Sequence, residues 1–170
     1  SAESIELIRG PETLVYGSNT VAGIINILTP VNRQRKLDNP NYKLLMGHES
    51  SNQSNLLSAN INIPLKSYQI FTNFSARTSN DQSSPLGNLK NTALIKNDFT
   101  FAITKFGQKN FTTLQFKNFA MDYGIPGSPE GHIDGVDLKL KNLSQKLVYH
   151  SDINFSSLKF LELEQCYIRY

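Results

Sequence analysis

Glu130, His132 and Asp134 stand at alternate positions in the stretch Tyr123-Gly124-Ile125-Pro126-Gly127-Ser128-Pro129-Glu130-Gly131-His132-Ile133-Asp134-Gly135. An extended backbone sends alternate side chains to one side. These three nitrogen and oxygen donors can therefore converge on a transition metal, or contact a metal chelate. The Gly and Pro residues around them fix turns, and the same spacing equally fits a solvated, well-ordered surface loop. His48, expected in the first short loop, is a further candidate for such a site. No other constellation supports chemistry. His48, His132 and His150 lack the His-x-x-x-His spacing, and no serine stands in Gly-x-Ser-x-Gly. The glycines form neither a P-loop nor a Gly-x-Gly-x-x-Gly turn. No enzyme activity and no bound cofactor are expected. The single Cys166 excludes an internal disulfide and a Cys-based zinc site.

The elements that must position these loops show a period of two from Tyr42 onward. Leu57, Ala59, Ile61 and Ile63 alternate with Ser58, Asn60 and Asn62. Tyr68, Ile70, Phe74 and Ala76 alternate with Gln69, Asn73, Ser75 and Arg77, with Phe71 as an exception. Ile95, Phe99, Phe101 and Ile103 oppose Lys96, Asp98, Thr100 and Thr104; Leu114, Phe116 and Ala120 oppose Thr113, Gln115 and Lys117. Each stretch runs for about ten residues, the length of a tilted strand that crosses a bilayer. In the sixth segment, 136–149, Val136, Leu138 and Leu140 share one parity and Leu143, Leu147 and Tyr149 the other. A β-bulge near Asn142 would reconcile them, because one extra residue flips all later side chains. A seventh segment runs from Leu158 to Tyr170. Connections alternate in length: short at 64–67, 106–110 and 151–154, long at about 78–92 and 122–135. That alternation is usual for the two ends of a membrane barrel.

The 170 residues carry a net charge of +3 and a mean hydropathy of -0.33. No stretch approaches the roughly 18 apolar residues of a transmembrane helix, although alternating barrel strands keep the average polar in any case. The 17 basic residues are scattered, with one small cluster at Arg33, Arg35 and Lys36, so no nucleic-acid partner is expected. The chain begins without an initiating Met and reads as a fragment of a longer protein.

Before the alternating region lie Ile5-Glu6-Leu7-Ile8-Arg9-Gly10-Pro11, then Tyr16-Gly17-Ser18, then Val21-Ala22-Gly23-Ile24-Ile25-Asn26-Ile27-Leu28-Thr29. This spacing resembles the end of the plug domain of TonB-dependent outer-membrane receptors, with Ala22-Gly23 where the family usually has Gly-Gly. The resemblance covers Ser4 to Thr29. It implies an all-β chain: the C-terminal part of a plug domain at 1–32, a linker at 33–41, and the first strands of an outer-membrane barrel at 42–170. The barrel part is expected as a partial, open antiparallel transmembrane sheet of about seven strands. Glu6, Arg9, Gly10, Pro11, Tyr16, Gly17, Gly23 and Asn26 are the implied plug-motif positions, with Glu6 and Arg9 facing the barrel wall. Ile24, Ile25 and Ile27 suit a strand buried inside the plug's own sheet. Receptors of this family are plugged barrels of about 22 strands. The implied location is the bacterial outer membrane. The implied partners are outer-membrane lipid, the TonB complex acting through a segment missing here, and an imported ligand such as a ferric siderophore, haem, cobalamin or another metal complex. The rival expectation is a soluble extracellular β-sandwich serving as a binding or adhesion module, in which a second sheet would cover the apolar side chains.

Overall fold

The computed structural model describes residues 4–8, 24–28, 36–128, 131, 134–155 and 158–170. It divides into two units, Ser1–Arg35 and Lys36–Tyr170. In the first unit β1 (Ser4–Ile8) and β2 (Ile24–Leu28) pair antiparallel, with Glu6 opposite Asn26. Leu7 and Ile25 are directly opposite one another, and both are exposed. The sequence reading buries Ile25; a ladder of two strands supplies no layer to cover it. Arg9, Gly10, Pro11, Tyr16, Gly17 and Gly23 lie outside the described residues.

The second unit contains β3 (Asn41–Glu49), β4 (Ser54–Leu65), β5 (Tyr68–Ser79), a small hairpin of β6 (Gln82–Ser84) and β7 (Gly87–Leu89), then β8 (Leu94–Phe106), β9 (Asn110–Ile125), β10 (Val136–Phe155) and β11 (Leu158–Arg169). The seven long strands form one antiparallel sheet in the order β11-β10-β9-β8-β5-β4-β3. Each long strand pairs with the next long strand in the chain, so the sheet is built from local hairpins alone. β3 and β11 are its two edges, and the sheet is open. The expected all-β class and the seven-stranded open sheet are both present.

Register sorts the side chains into two faces. On one face, rows run across the strands through Ile63, Ile70, Ile103, Leu114 and Leu147; through Tyr42, Ile61, Thr72, Phe101, Phe116, Gln145 and Tyr167; and through Leu44, Ala59, Phe74, Phe99, Asn118 and Leu143. Most large side chains in these rows are exposed, among them Leu44, Phe74, Phe99, Phe101, Leu114 and Leu147. The opposite face carries the buried polar residues Asn60, Asn62, Gln69, Asn73, Thr100, Thr104 and Thr113. Among the described residues the buried apolar ones are Phe71, Ala102, Phe111 and Val148, all on this same face. Phe71, the exception in the alternation, therefore keeps the parity of its strand. The usual distribution is reversed: amides and hydroxyls are buried while branched and aromatic side chains are exposed.

The apolar band crosses the sheet obliquely. On β4 it reaches Leu57, whose row continues through Ala76, Asn97, Ala120 and Lys141. On β11 it ends at Tyr167, in the row of Ile61. At the other margin Tyr68, Lys105, Thr112, Tyr149 and Leu163 share a row, and β11 extends below it to Leu161. Both margins step the same way from β4 to β11, as they do when strands are tilted to the layer that bounds the band.

Two expectations are corrected. The described residues offer no second sheet stacked on the apolar face, so the sandwich's closed core is not formed. There is no bulge at Asn142 either: β10 pairs with β9 without interruption from Val136↔Ile125 to Ser151↔Asn110. The parity changes because β10, 20 residues long, outruns the apolar band. Leu143, Leu147 and Tyr149 stay on the apolar face within it. Beyond Asn142 that face carries Lys141 and Lys139, and Leu140 and Leu138 turn to the opposite face beside Met121 and Tyr123. The irregularity in β10 lies at its far end, between Asp152 and Phe155, against β11.

An exposed apolar face with two unpaired edges is an aggregation hazard in water. The 170-residue chain is expected to stay in solution only with detergent, as read by analytical ultracentrifugation with and without it; a monodisperse detergent-free monomer that melts cooperatively would contradict the face assignment.

Candidate functional site

Three connections emerge at one end of the sheet, at 50–53, 80–93 and 126–135, and short ones at the other. Hydrogen bonds tie the first two together. The Asn80 N–H donates to Asn52 O at 2.9 Å, the Ser83 N–H to Ser51 O at 3.2 Å, and Asn80 Nδ2 to Gln53 Oε1 at 3.0 Å. Asp81 closes the base of the β6–β7 hairpin, because its Oδ1 accepts from the N–H groups of Thr92 (2.8 Å) and Ala93 (3.0 Å). Thr92 N–H foremost, with the Ala93 and Asn91 amides, holds the Asp81 carboxyl below the usual carboxylate range. Thr92 Oγ1 accepts from Gln82 N–H at 2.7 Å and donates to Leu89 O at 2.8 Å. The hairpin lifts Leu86, fully exposed, to its tip.

Asn91 joins this loop to the next. Its backbone is left-handed, with φ 58°. Its Nδ2 donates to Ile125 O at 2.9 Å and to Val136 O at 3.2 Å, bridging the last residue of β9 and the first of β10. Gly124 N–H donates to Ala93 O at 3.1 Å. A Cβ on Gly124 would lie 2.3 Å from Asn91 Oδ1 and 2.7 Å from Asn91 O. Gly135, at φ +82°, is equally confined, since a Cβ there would lie 2.4 Å from Ile125 O. Gly124 and Gly135, at the end of β9 and just before β10, are thus the places where Asn91 sits against the strand ends. A shallow cleft of about 200 Å³ opens here, lined by Asn91, Ala93, Tyr123, Gly124, Asp137 and Leu138 among others. It is smaller than the roughly 300–1,000 Å³ of a complete small-molecule pocket.

The clamp fixes both ends of the segment that carries the sequence-derived candidates. Asp134 is exposed in a turn just before Gly135; Glu130 and His132 lie outside the described residues. Among the described residues no group of three His, Cys, Asp or Glu side chains is placed to hold a metal. His48 is not in a loop: it lies within β3, and its Nδ1 is 2.9 Å from Asn55 Oδ1. In the sheet order β3 stands four strands from β9, roughly 19 Å at about 4.8 Å per strand. His48 does not join the 126–135 connection.

Below the loops the polar face forms a hydrogen-bonded wall. Arg77 donates from Nη2 to Glu49 Oε2 and from Nε to Ser54 Oγ, both at 3.0 Å. Asp98 accepts from Asn73 Nδ2 at 3.1 Å and lies 3.8 Å from Lys117 Nζ. Thr104 and Thr113 share a hydroxyl hydrogen bond of 2.8 Å, and Lys146 pairs with Glu164 at 2.8 Å. Asn62 Oδ1 and Asn73 Oδ1 are buried acceptors without a hydrogen-bond partner among the described residues. Near the short turns His150, buried, stacks between Phe111 (centroids 4.9 Å apart) and Phe160 (5.4 Å). Its Nδ1 is 3.1 Å from Glu162 Oε2 and its Nε2 3.4 Å from Asp152 Oδ1. Sequence spacing could not reveal this group, because its members meet only through the register of β9, β10 and β11.

No protein-family model matches the chain. A stretch of 37 residues, 21% of the chain, is 51% identical to part of a transporter. That relative is the vitamin B12 transporter BtuB of Vibrio vulnificus (strain YJ016), and the matched stretch spans 6% of its length.

If Asn91 is the clamp, Asn91→Asp, which loses the donating Nδ2, and Gly124→Ala, which forces Asn91 away, should both loosen residues 124–136. Local opening should cost about 1 kcal/mol less, seen as faster amide exchange there than in β8. Unchanged exchange in both variants would show that the loop ends are held by something else.

Proposed function

We propose that this chain is part of a TonB-dependent outer-membrane receptor: the end of its plug domain, then the first strands of its barrel. The observation that carries the reading is the sheet's reversed polarity, with exposed aromatic and branched side chains on one face and buried amides and hydroxyls on the other. From Tyr68 to Ala76 the apolar parity holds for roughly nine residues, and a strand tilted across hydrocarbon needs about nine to eleven. Tyr68 and Tyr149 on the lower margin suit an interfacial girdle, and Lys105 between them can snorkel. Between the two edges the backbone groups are satisfied strand to strand, as lipid requires, and in this reading further strands of the barrel pair with β3 and β11.

The transported ligand is proposed as a scarce metal complex, with a cobalamin as the first candidate from the similarity to a vitamin B12 transporter. Ferric siderophores and haem are the next candidates. In this reading the loop end faces the exterior, where the segment fixed by Asn91 contributes to ligand capture. Import draws on energy that TonB transmits to the plug.

Uptake of labelled cobalamin, ferric siderophore and haem by cells that express the intact protein and lack other receptors tests this. Accumulation of one of them should be saturable and should cease when the proton-motive force is dissipated. Uptake that persists after dissipation, or none of any class, would contradict the reading.

A further inference from the structure

The short-turn end of the sheet carries lysines within stretches that hold no acid. No Asp or Glu stands between Glu49 and Asp81, or between Asp98 and Asp122. The first stretch includes the β4–β5 turn with Lys66; the second includes Lys105 near the end of β8 and Lys109 in the β8–β9 turn. All three lysines are exposed. The strands that present them, β4, β5, β8 and β9, each have a neighbour on both sides. Their register at this end does not depend on what pairs with β3 or β11.

Lys105 stands on the apolar face, with Tyr68 opposite it on one side and Thr112 on the other. Its diagonal strand neighbours on that face are Ile70, Leu114 and Asn110, none of them acidic. The Phe106 N–H donates to Ser67 O at 2.7 Å and seats the β4–β5 turn against the end of β8. Lys66 is thus about one strand spacing and two residues from Lys105, roughly 8 Å between Cα atoms. The Gly107 N–H donates to Asn110 O at 2.8 Å and closes the turn that holds Lys109. Lys36 brings a fourth ammonium, which donates to Lys66 O. The carboxylates of this end lie toward the polar face. Asp38 follows Leu37, whose N–H is held by Gln69 Oε1 at 2.8 Å. The Asp152 N–H donates to Lys109 O at 2.7 Å, but its carboxylate, like that of Glu162, turns to the His150 ring. Among the described residues Lys66, Lys105 and Lys109 form no ion pair, whereas Arg77, Lys117 and Lys146 each pair with a carboxylate.

We propose that Lys66, Lys105 and Lys109 bind the phosphate of an anionic phospholipid whose acyl chains lie along the apolar face at Ile70, Ile103 and Leu114. This assignment rests on the membrane reading above. Lys105 is one row outside those branched side chains, at the depth where a headgroup meets water once its chains cover them. Flexible four-carbon stems let ammonium groups from two turns converge on one phosphate. Lysine meets phosphate as a point charge, and cations clustered beside a bilayer favour anionic headgroups.

The test uses the intact protein in nonionic detergent micelles doped with either phosphatidylglycerol or an uncharged diacylglycerol of the same chains, counting retained lipid by native mass spectrometry. Phosphatidylglycerol should be retained preferentially, and its affinity should fall about fivefold for each of Lys66→Gln, Lys105→Gln and Lys109→Gln. Lys43→Gln, on the polar face, should bind as the parent does. The unsubstituted protein supplies a check that needs no folded variant: raising salt should release phosphatidylglycerol and leave the neutral lipid. Equal retention by the triple variant, salt-insensitive binding, or displacement by millimolar inorganic phosphate would overturn the proposal, the last by revealing a free-anion site. A protein that holds detergent and neutral lipid yet ignores phosphatidylglycerol overturns this inference alone. One that holds neither lipid nor detergent overturns the membrane reading with it.

Discussion

An antiparallel ladder without a break leaves a side chain no choice of face: neighbours along the strand point apart, and residues two apart point together. In this chain the ladders between β9 and β10 and between β5 and β8 run their full length without a slip. Polarity must then agree with parity wherever the two faces meet different surroundings. Phe101 and Thr100 are adjacent in sequence yet belong to opposite environments, one among exposed aromatics and the other buried among amides and hydroxyls. The same rule sends Leu140 and Lys141 to opposite sides once the strand has passed the apolar band.

The two ends of the sheet use different means to finish the ladder. At the short end a tight turn suffices, with Lys66 in a left-handed conformation between β4 and β5. At the long end carbonyls of β9 and β10 would be left to water, and Asn91 reaches across from another loop to occupy them. That one amide couples the 80–93 and 126–135 connections. Asp81 does comparable work one step earlier by binding the amides of Thr92 and Ala93.

The central strands were legible because each meets only one pair of environments. Leu57, Ala59, Ile61 and Ile63, or Phe99, Phe101 and Ile103, keep one parity from end to end. β10 was not, because its two halves meet different surroundings, and Val136 to Tyr149 therefore mimic a bulge. The β6–β7 hairpin, with three residues per strand, is too short to show a period. Asn91 carries no pattern of its own, and Gly124 announces a tight spot without saying what fills it. The His150 stack depends on Phe111 and Phe160, which only register brings alongside. Of the loop candidates, Asp134 is an exposed turn residue and His48 a strand residue bonded to Asn55. Glu130 and His132 lie outside the described residues.

The central claim is that alternate residues of one strand meet hydrocarbon and water. Nitroxide labels placed singly from Asp98 to Thr104 of the intact protein in lipid bilayers measure this directly, through collision with oxygen or with a water-soluble nickel chelate. Labels at 99, 101 and 103 should favour oxygen, and those at 98, 100, 102 and 104 should not. A profile without period two, or with its maxima at the even positions, would contradict the account.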